Sequence, residues 1–443
     1  MWSITLLRLL HLSDIHFRAP DCSDPETDPN RSIRDLLEMD VVDFVGKDGK
    51  NIDAILITGD IAFACQEQEY AAAAEWIDIL CASTGCESQS VYLVPGNHDI
   101  DRAQTRTKIT KAIRSQITSH EDHRLVSKEL SEHLKEEGTG NIILSPMKNY
   151  NSFAERYNCG ISHQKPFWTQ DLVISENTTL NIRGMTTVLL SSDQDNLGLL
   201  PIDSTQTNFP QRPGYVYLSM MHHPCDWLKG GDFVKDQLEN HVNIQLYGHK
   251  HNSRYETGEK YLRVYSIALH PDNWEAPYEP GYNIIDIEEK DEVNNSVEIG
   301  VKVYVRVLQR HPLIFVPRMS ASSKEYYDFS FNIRKPLGNN TPKTNPPLVP
   351  KKVEECEPVS QGSCTAQEIV EDIDDTLDLK AISYEFYRLN GSQKRKIINE
   401  LNLLTDGEWE KPTTQRHFLA FKKAQERGHI EKLQEYIEKA RNE

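Results

Sequence analysis

Val91-Tyr92-Leu93-Val94-Pro95-Gly96-Asn97-His98-Asp99 reads as a short buried strand that breaks into side chains carrying O and N donors. The same event occurs twice upstream. The apolar run from Arg8 to Leu12 gives way to Asp14-Ile15-His16, and Ala54 to Thr58 gives way to Gly59-Asp60. Between them, Glu69 to Leu80 has the Ala-rich, apolar spacing of a helix. Strand, polar loop and helix in alternation predict an α/β layered fold. Functional residues are then expected on loops at the C-terminal ends of the strands. Further β-rich segments are expected near Thr187 to Ser191, Val216 to Met221, Ile244 to Tyr247 and Tyr261 to Ile267. Tyr282 to Ile287 and Val301 to Val307 read as later strands of the same layers. Residues 100 to about 157 are charged and mostly helical in pattern, and read as an inserted cap.

Composition bounds the function. At 443 residues the chain is expected to hold two or three domains. A 38% apolar and 26% charged content is that of a soluble protein with a real core. The net charge of -18 gives no long-range steering towards phosphate backbones, which argues against non-specific nucleic-acid binding. The eight cysteines are scattered, with Cys81 and Cys86 the closest pair, and read as free thiols of a cytoplasmic protein. Arg8 interrupts the apolar N-terminus, which lacks a basic start and a small-residue cleavage site. It therefore reads as a first strand, not a signal peptide. No stretch has the length of a membrane span.

The character of the chain changes at Pro336. Six prolines between Pro336 and Pro358, set among Asn, Thr, Lys and Glu, make 336–365 a semi-extended tether between a 1–335 domain and a helical 366–443 domain. In the last helix, about His429 to Ala440, the residues Ile430, Leu433, Tyr436 and Ile437 recur at spacings of three and four. Phe418, Leu419 and Phe421 add to the apolar faces. That piece is expected to engage a protein partner.

Five motifs follow one another: Asp14-Ile15-His16, Gly59-Asp60, Gly96-Asn97-His98-Asp99, His222-His223 and Gly248-His249-Lys250-His251. Singly each is weak. Together, each behind a strand, they resemble the calcineurin-like metallophosphoesterase pattern, over residues 1 to about 310. The resemblance implies an αββα sandwich and two divalent cations about 3.5–4 Å apart, which activate water and clamp a phosphoryl group. It implies Asp14, His16 and His251 on the first ion and Asn97, His222 and His249 on the second, with Asp60 bridging. His222 is favoured over His223, because the first histidine after the strand fills that place in the family. Mixed imidazole, carboxylate and amide ligation suits manganese first, then iron or zinc. His98 implies a general acid for the leaving oxygen, and imidazole is the side chain that titrates nearest neutral pH. Arg18 and His223 are candidate substrate contacts. Gly59, Gly96 and Gly248 are expected at sharp turns.

Blander readings apply nearby. Lys250 alternates with two ligands and should point away, Asp101 and Arg102 suggest a loop ion pair, and His11 reads as a strand-end residue. Ser/Thr protein phosphatases extend the second motif to G-D-x-x-D-R-G, whose second Asp orients the catalytic His. This chain has Gly59-Asp60-Ile61-Ala62-Phe63, which argues against that class. The stretches 96–102 and 222–228 resemble bacterial phosphodiesterases of the cyclic-nucleotide and nuclease groups. The C-terminal helices resemble small adaptor domains of bacterial defence systems. The resulting expectation is a phosphodiesterase acting on nucleotides or nucleic acid, as a possible antiviral effector module. The competing readings are a phosphomonoesterase on a small metabolite and a non-catalytic scaffold. Filled ligand positions argue against the scaffold.

Overall fold

The computed structural model describes residues 6–335 except 25, 252, 272–278 and 294, and then 382, 386, 391–405, 409 and 413–441. The chain divides into two compact units, Met1–Thr344 and Asn345–Glu443. The residues assigned to the tether fall outside the described set.

In the first unit, β1 (Leu6–Leu12) leads to α1 (Arg31–Asp48), β2 (Ala54–Ile57) to α2 (Glu67–Thr84), and β3 (Val91–Leu93) to a run of helices. These are α3 (Arg102–Thr105), α4 (Lys108–Thr118), α5 (His123–Lys135), α6 (Glu137–Leu144) and α7 (Lys148–Ala154). The chain returns through β4 (Phe167–Val173), β5 (Thr179–Met185), β6 (Tyr215–Met221), α8 (Gly231–His241), β7 (Ile244–Tyr247), β8 (Arg254–Thr257) and β9 (Leu262–Tyr265). It ends in β10 (Gly281–Val293), β11 (Ser296–Arg310), β12 (Leu313–Pro317) and β13 (Tyr327–Arg334).

Two mixed sheets result. One runs β12-β11-β10-β1-β2-β3, with β13 also paired to β11, and the other runs β4-β5-β6-β7-β9-β8. Period-two alternation explains their stacking. On β6, Val216, Leu218 and Met220 join the core shared with the first sheet, while Tyr217 and Met221 face a second cluster containing Val234 and Leu238 of α8. Leu37, Val41 and Phe44 of α1 cover the first sheet. Because β1, β2 and β3 are parallel, as are β5, β6, β7 and β9, their C-terminal ends gather the motif loops at one edge.

The expected strand at Thr187 to Ser191 does not form. Strand β5 stops at Met185. Gln206 then occupies the Thr186 backbone with its side-chain amide: Oε1 accepts from the Thr186 N–H at 2.6 Å, and Nε2 donates to its carbonyl at 3.1 Å. A side chain there replaces a neighbouring strand. The 101–102 ion pair is also absent from the described residues. Asp101 instead caps α3, accepting from the Ala103 N–H at 2.8 Å.

In the second unit, helices Gly391–Glu400, Thr413–Glu426 and Ile430–Arg441 share a core that includes Phe386, Ile397, Leu403, Leu433 and Ile437. The side chain of Phe418 lies outside the described residues.

Arg8, which broke the N-terminal apolar run, is only 2% exposed. It lies opposite Asp286 in the β1–β10 register and makes two hydrogen bonds to that carboxylate, at 2.7 and 2.8 Å. Its other face reaches Asp48 at the end of α1 at 2.8 Å. Asp286 is 4% exposed and Asp48 is 49% exposed. Arg8→Ala would leave Asp286 buried without a counter-charge and is expected to cost about 3–5 kcal/mol. Asp48→Ala should cost at most about 1 kcal/mol. Urea unfolding of the two variants measures the difference, and equal costs would refute the assignment.

Candidate metal centre

The first two motif loops continue as a short parallel pair beyond their strands. The Asp14 N–H donates to the Gly59 carbonyl at 3.0 Å, and the Ile15 and His16 N–H groups both donate to the Asp60 carbonyl, at 2.9 and 3.0 Å. Five ligand-type residues sit in left-handed backbone: Asp14 (φ 53°), His16 (52°), Asp60 (53°), His249 (68°) and His251 (55°). Such geometry costs about 1–3 kcal/mol per non-glycine residue and survives only where the surroundings over-determine it. Gly59 meets the expectation of a sharp turn, with φ +95°; a Cβ there would also lie 2.6 Å from His222 Nδ1. Gly96 and Gly248 differ, because neither has a positive φ. They are required by close approach: a Cβ on Gly96 would fall 2.1 Å from Asp60 Oδ1, and one on Gly248 2.2 Å from Ser13 Oγ.

The side chains converge on Asp60. Its Oδ2 lies 3.3 Å from His222 Nε2 and 3.9 Å from His16 Nε2, while Oδ1 accepts the His98 N–H at 2.8 Å. Asp14 Oδ1 is 3.2 Å from His251 Nε2, and its Oδ2 accepts the His249 N–H at 3.3 Å. His222 Nδ1 donates to the Thr58 carbonyl at 2.8 Å, so Nε2 is the ring nitrogen turned towards Asp60 and towards Asn97 Oδ1 at 3.1 Å. Three overlapping groups with donor atoms within 4.8 Å of one another follow: Asp14 with His16 and His251, Asp14 with Asp60 and His222, and His16 with Asp60 and His98. A fourth joins His222, His223 and His249.

The electrostatics suit cations. Burial works against ionised Asp14 and Asp60, yet the neighbouring histidines hold both below the usual carboxylate range. Burial lowers His16 and His249 to about 4, keeping their lone pairs available. Burial opposes charge on His222 as well, but Asp60 and Asp14 prevail and push it up to about 9. A proton on His222 thus compensates the carboxylates where a metal would. Ionised carboxylates, the neutral imidazoles of His16 and His249 and one amide oxygen form a donor set that fits divalent ions.

The structure separates the remaining candidates. His98 Nδ1 donates to the carbonyl of Phe63 at 2.7 Å. Phe63 stands where the phosphatase pattern carries its second Asp, so a backbone carbonyl orients the imidazole here. Arg18 is exposed, with its guanidinium 3.6 Å over the Phe63 ring. His223 is fully buried, contacts Thr187 Oγ1 at 2.9 Å and flanks His249. Lys250 points away, to Asp226 at 2.6 Å. His11 is buried against Thr58.

Asp99 closes the third motif. It is fully buried and accepts from the N–H groups of Gly96 (2.9 Å), Ala62 (2.9 Å) and Ile61 (3.2 Å) and from the Tyr70 hydroxyl (3.0 Å). It ties the Gly59 loop to the Gly96 loop. The signal available in sequence was an acidic residue directly after Asn97-His98.

A layered sandwich with this donor set at its strand ends is the arrangement of the metallophosphoesterase class. The chain belongs to the calcineurin-like phosphoesterase family, whose model matches residues 7–253. Residues 378–439 match a second family, the GTPase-associated adaptor domain. An uncharacterized metallophosphoesterase-like protein of Bacillus subtilis (strain 168) is 24% identical over 288 residues, 61% of this chain. The chain covers 55% of that relative's length, so it spans about half of the curated protein it matches. Among solved structures, a predicted phosphoesterase from Streptococcus pneumoniae TIGR4 aligns over 74% of this chain and 99% of its own, at 11% identity and a TM-score of 0.28. A putative 5'-nucleotidase from Staphylococcus aureus aligns over 77% and 56%, at 8% identity and a TM-score of 0.33.

Gly59→Ala should displace the His222 imidazole and lower metal content, besides costing about 1–3 kcal/mol of stability. Gly49→Ala is the control, since Gly49 shares a left-handed φ of +71° but has nothing within 4 Å of its Cβ position. Elemental analysis and thermal melts of both read the outcome. Full metal content in Gly59→Ala would show that this close approach is not needed.

Proposed function

We propose that this chain is a two-metal phosphodiesterase acting on nucleotides or nucleic acid. The observation that carries the reading is the position of Asp60 Oδ2, between His16 of one donor group and His222 of the next. Asp14, His16 and His251 would hold one ion and Asn97, His222 and His249 the other, with Asp60 shared. Manganese is the proposed metal, with iron or zinc as alternatives. Bound divalent ions supply Lewis-acid activation of the phosphoryl group and of water. The protein's own residues orient and protonate. With Nδ1 committed to Phe63, His98 presents Nε2 as the atom that gives a proton to the leaving oxygen. Arg18, steadied on Phe63, is the proposed contact for a phosphate oxygen.

Charge favours a nucleotide-sized diester over long nucleic acid. Of the cap cations, Arg124 pairs with Asp122, Lys128 with Glu132, and Arg114 turns in to the Ser191 carbonyl. Lys108, Lys111 and Lys135 keep no carboxylate partner among the described residues, so it is the net charge of -18 that disfavours a long phosphate backbone. The adaptor-domain match supports a protein partner for the C-terminal helices, and the role of effector module in a bacterial defence system is part of the proposal. No helix among the described residues is long and apolar enough to cross a membrane, and a cytoplasmic setting is part of the proposal.

Hydrolysis of bis-p-nitrophenyl phosphate against p-nitrophenyl phosphate, with manganese, is the direct test. The diester should be cleaved faster, and a faster monoester would overturn the reading. In the same assay, His98→Ala should lose about 10²–10⁴-fold in turnover while keeping its metal. Asp60→Ala should lose activity and metal together. Equal metal loss in the two variants would make His98 a ligand and remove it as the acid. A chain ending at Lys335 should retain diester hydrolysis and lose its partner in a pull-down. An inactive or insoluble truncation would make the helices part of the catalytic body.

A further inference from the structure

Away from the metal centre, a cavity of about 680 Å³ opens between α5, the segment from Pro201 to Thr207, and the start of α8. None of the metal-centre residues lines it. Its volume is that of a site for one small organic molecule. Val126, Leu134, Ile202 and Val234 give it an apolar interior. Phe233 lies on its wall, 46% exposed, with its ring centroid 5.4 Å from that of His123 at an interplanar angle of 36°. An aromatic left so exposed beside a partner ring can accept a flat ring on its open face.

The charge lining this cavity is uneven. Lys135 and Lys229 have no carboxylate partner among the described residues, whereas the cavity's acidic groups are committed. Asp203 accepts from Ser131, from the Thr205 N–H and from the Thr205 hydroxyl, and Glu132 pairs with Lys128. An apolar slot, a half-open aromatic wall and two free ammonium groups together select a planar ring bearing an anionic tail.

The junction that forms the cavity is tightly built. Gly230 has a φ of +74°, and a Cβ there would meet His123 Cγ at 2.4 Å. The Lys229 N–H donates to the Leu200 carbonyl at 2.8 Å. The wall that carries Phe233 is therefore fixed against α5, so the slot is pre-formed and needs little ordering on binding.

We propose that this cavity is a second ligand site, which takes a nucleoside phosphate with its base against Phe233 and His123 and its phosphates on Lys135 and Lys229. The proposal does not depend on the hydrolase reading, and its test removes metal chemistry.

The full chain, stripped of metal with EDTA, is titrated with a fluorescent N-methylanthraniloyl derivative of ADP. Saturable binding is expected, displaced by unlabelled ADP but not by inorganic phosphate at the same concentration. Phe233→Ala should weaken it by about tenfold, the scale of one lost base-stacking contact. The double charge reversal Lys135→Glu/Lys229→Glu should weaken it at least as much, and Asp60→Ala should leave it unchanged. All three cavity side chains lie at the surface, and circular dichroism checks that each variant is folded. Absence of saturable binding overturns the proposal. So does binding that survives both cavity variants, or binding that is lost in Asp60→Ala, which would place the nucleotide at the metal centre.

Discussion

Two buried carboxylates, Asp14 and Asp60, face one another across the ends of β1 and β2, and neither is exposed by more than 2%. Like charges held this close in a desolvated site repel unless positive charge is supplied. Here the histidines supply it, with His222 raised to about 9 to do so. The arrangement is tolerable without a cation and has the donors to hold one. That constraint explains why the loops are clamped so heavily. The Asp60 carbonyl takes two N–H donors, its carboxylate takes a third, and Asp99 gathers four more groups behind it.

The sandwich pre-organises the site at its edge. Parallel strands β1, β2 and β3 in one sheet and β6 and β7 in the other end side by side, so residues from 14 to 251 reach one centre without long loops. Rigid strand ends hold donor atoms more closely than free loops would. The left-handed backbone at five ligand-type residues is the strain this precision costs, and the shared core beneath the loops offsets it.

The helical insertion does two things. It packs on the end of β3, where the Tyr150 hydroxyl donates to the Leu93 carbonyl at 3.2 Å, and it leaves an apolar, partly cationic cavity where α5 meets the start of α8. Arg124 and Lys128 pair with carboxylates inside it, whereas Arg106 and Arg156 reach out to Asp193 and Asp78. The C-terminal unit has a core of its own.

Much was legible in the sequence because it was local. Each ligand-type residue follows its own strand within a few positions, so the identity and order of Asp14, His16, Asp60, Asn97, His249 and His251 stood beside the apolar runs that position them. The layered α/β fold and the helical C-terminus were readable for the same reason. Only tertiary structure decided what depends on partners far along the chain. The His222 ring is oriented by the Thr58 carbonyl, 164 residues away. Arg8 is buried because Asp286 lies opposite it. Thr186 leaves its sheet because Gln206 takes its backbone hydrogen bonds, and Phe63 orients His98 through a carbonyl, an atom every residue carries. Periodicity and residue type report on neighbours within a turn or a strand. They carry no record of which distant side chain completes a hydrogen bond, and that completion is what turned these motifs into one centre.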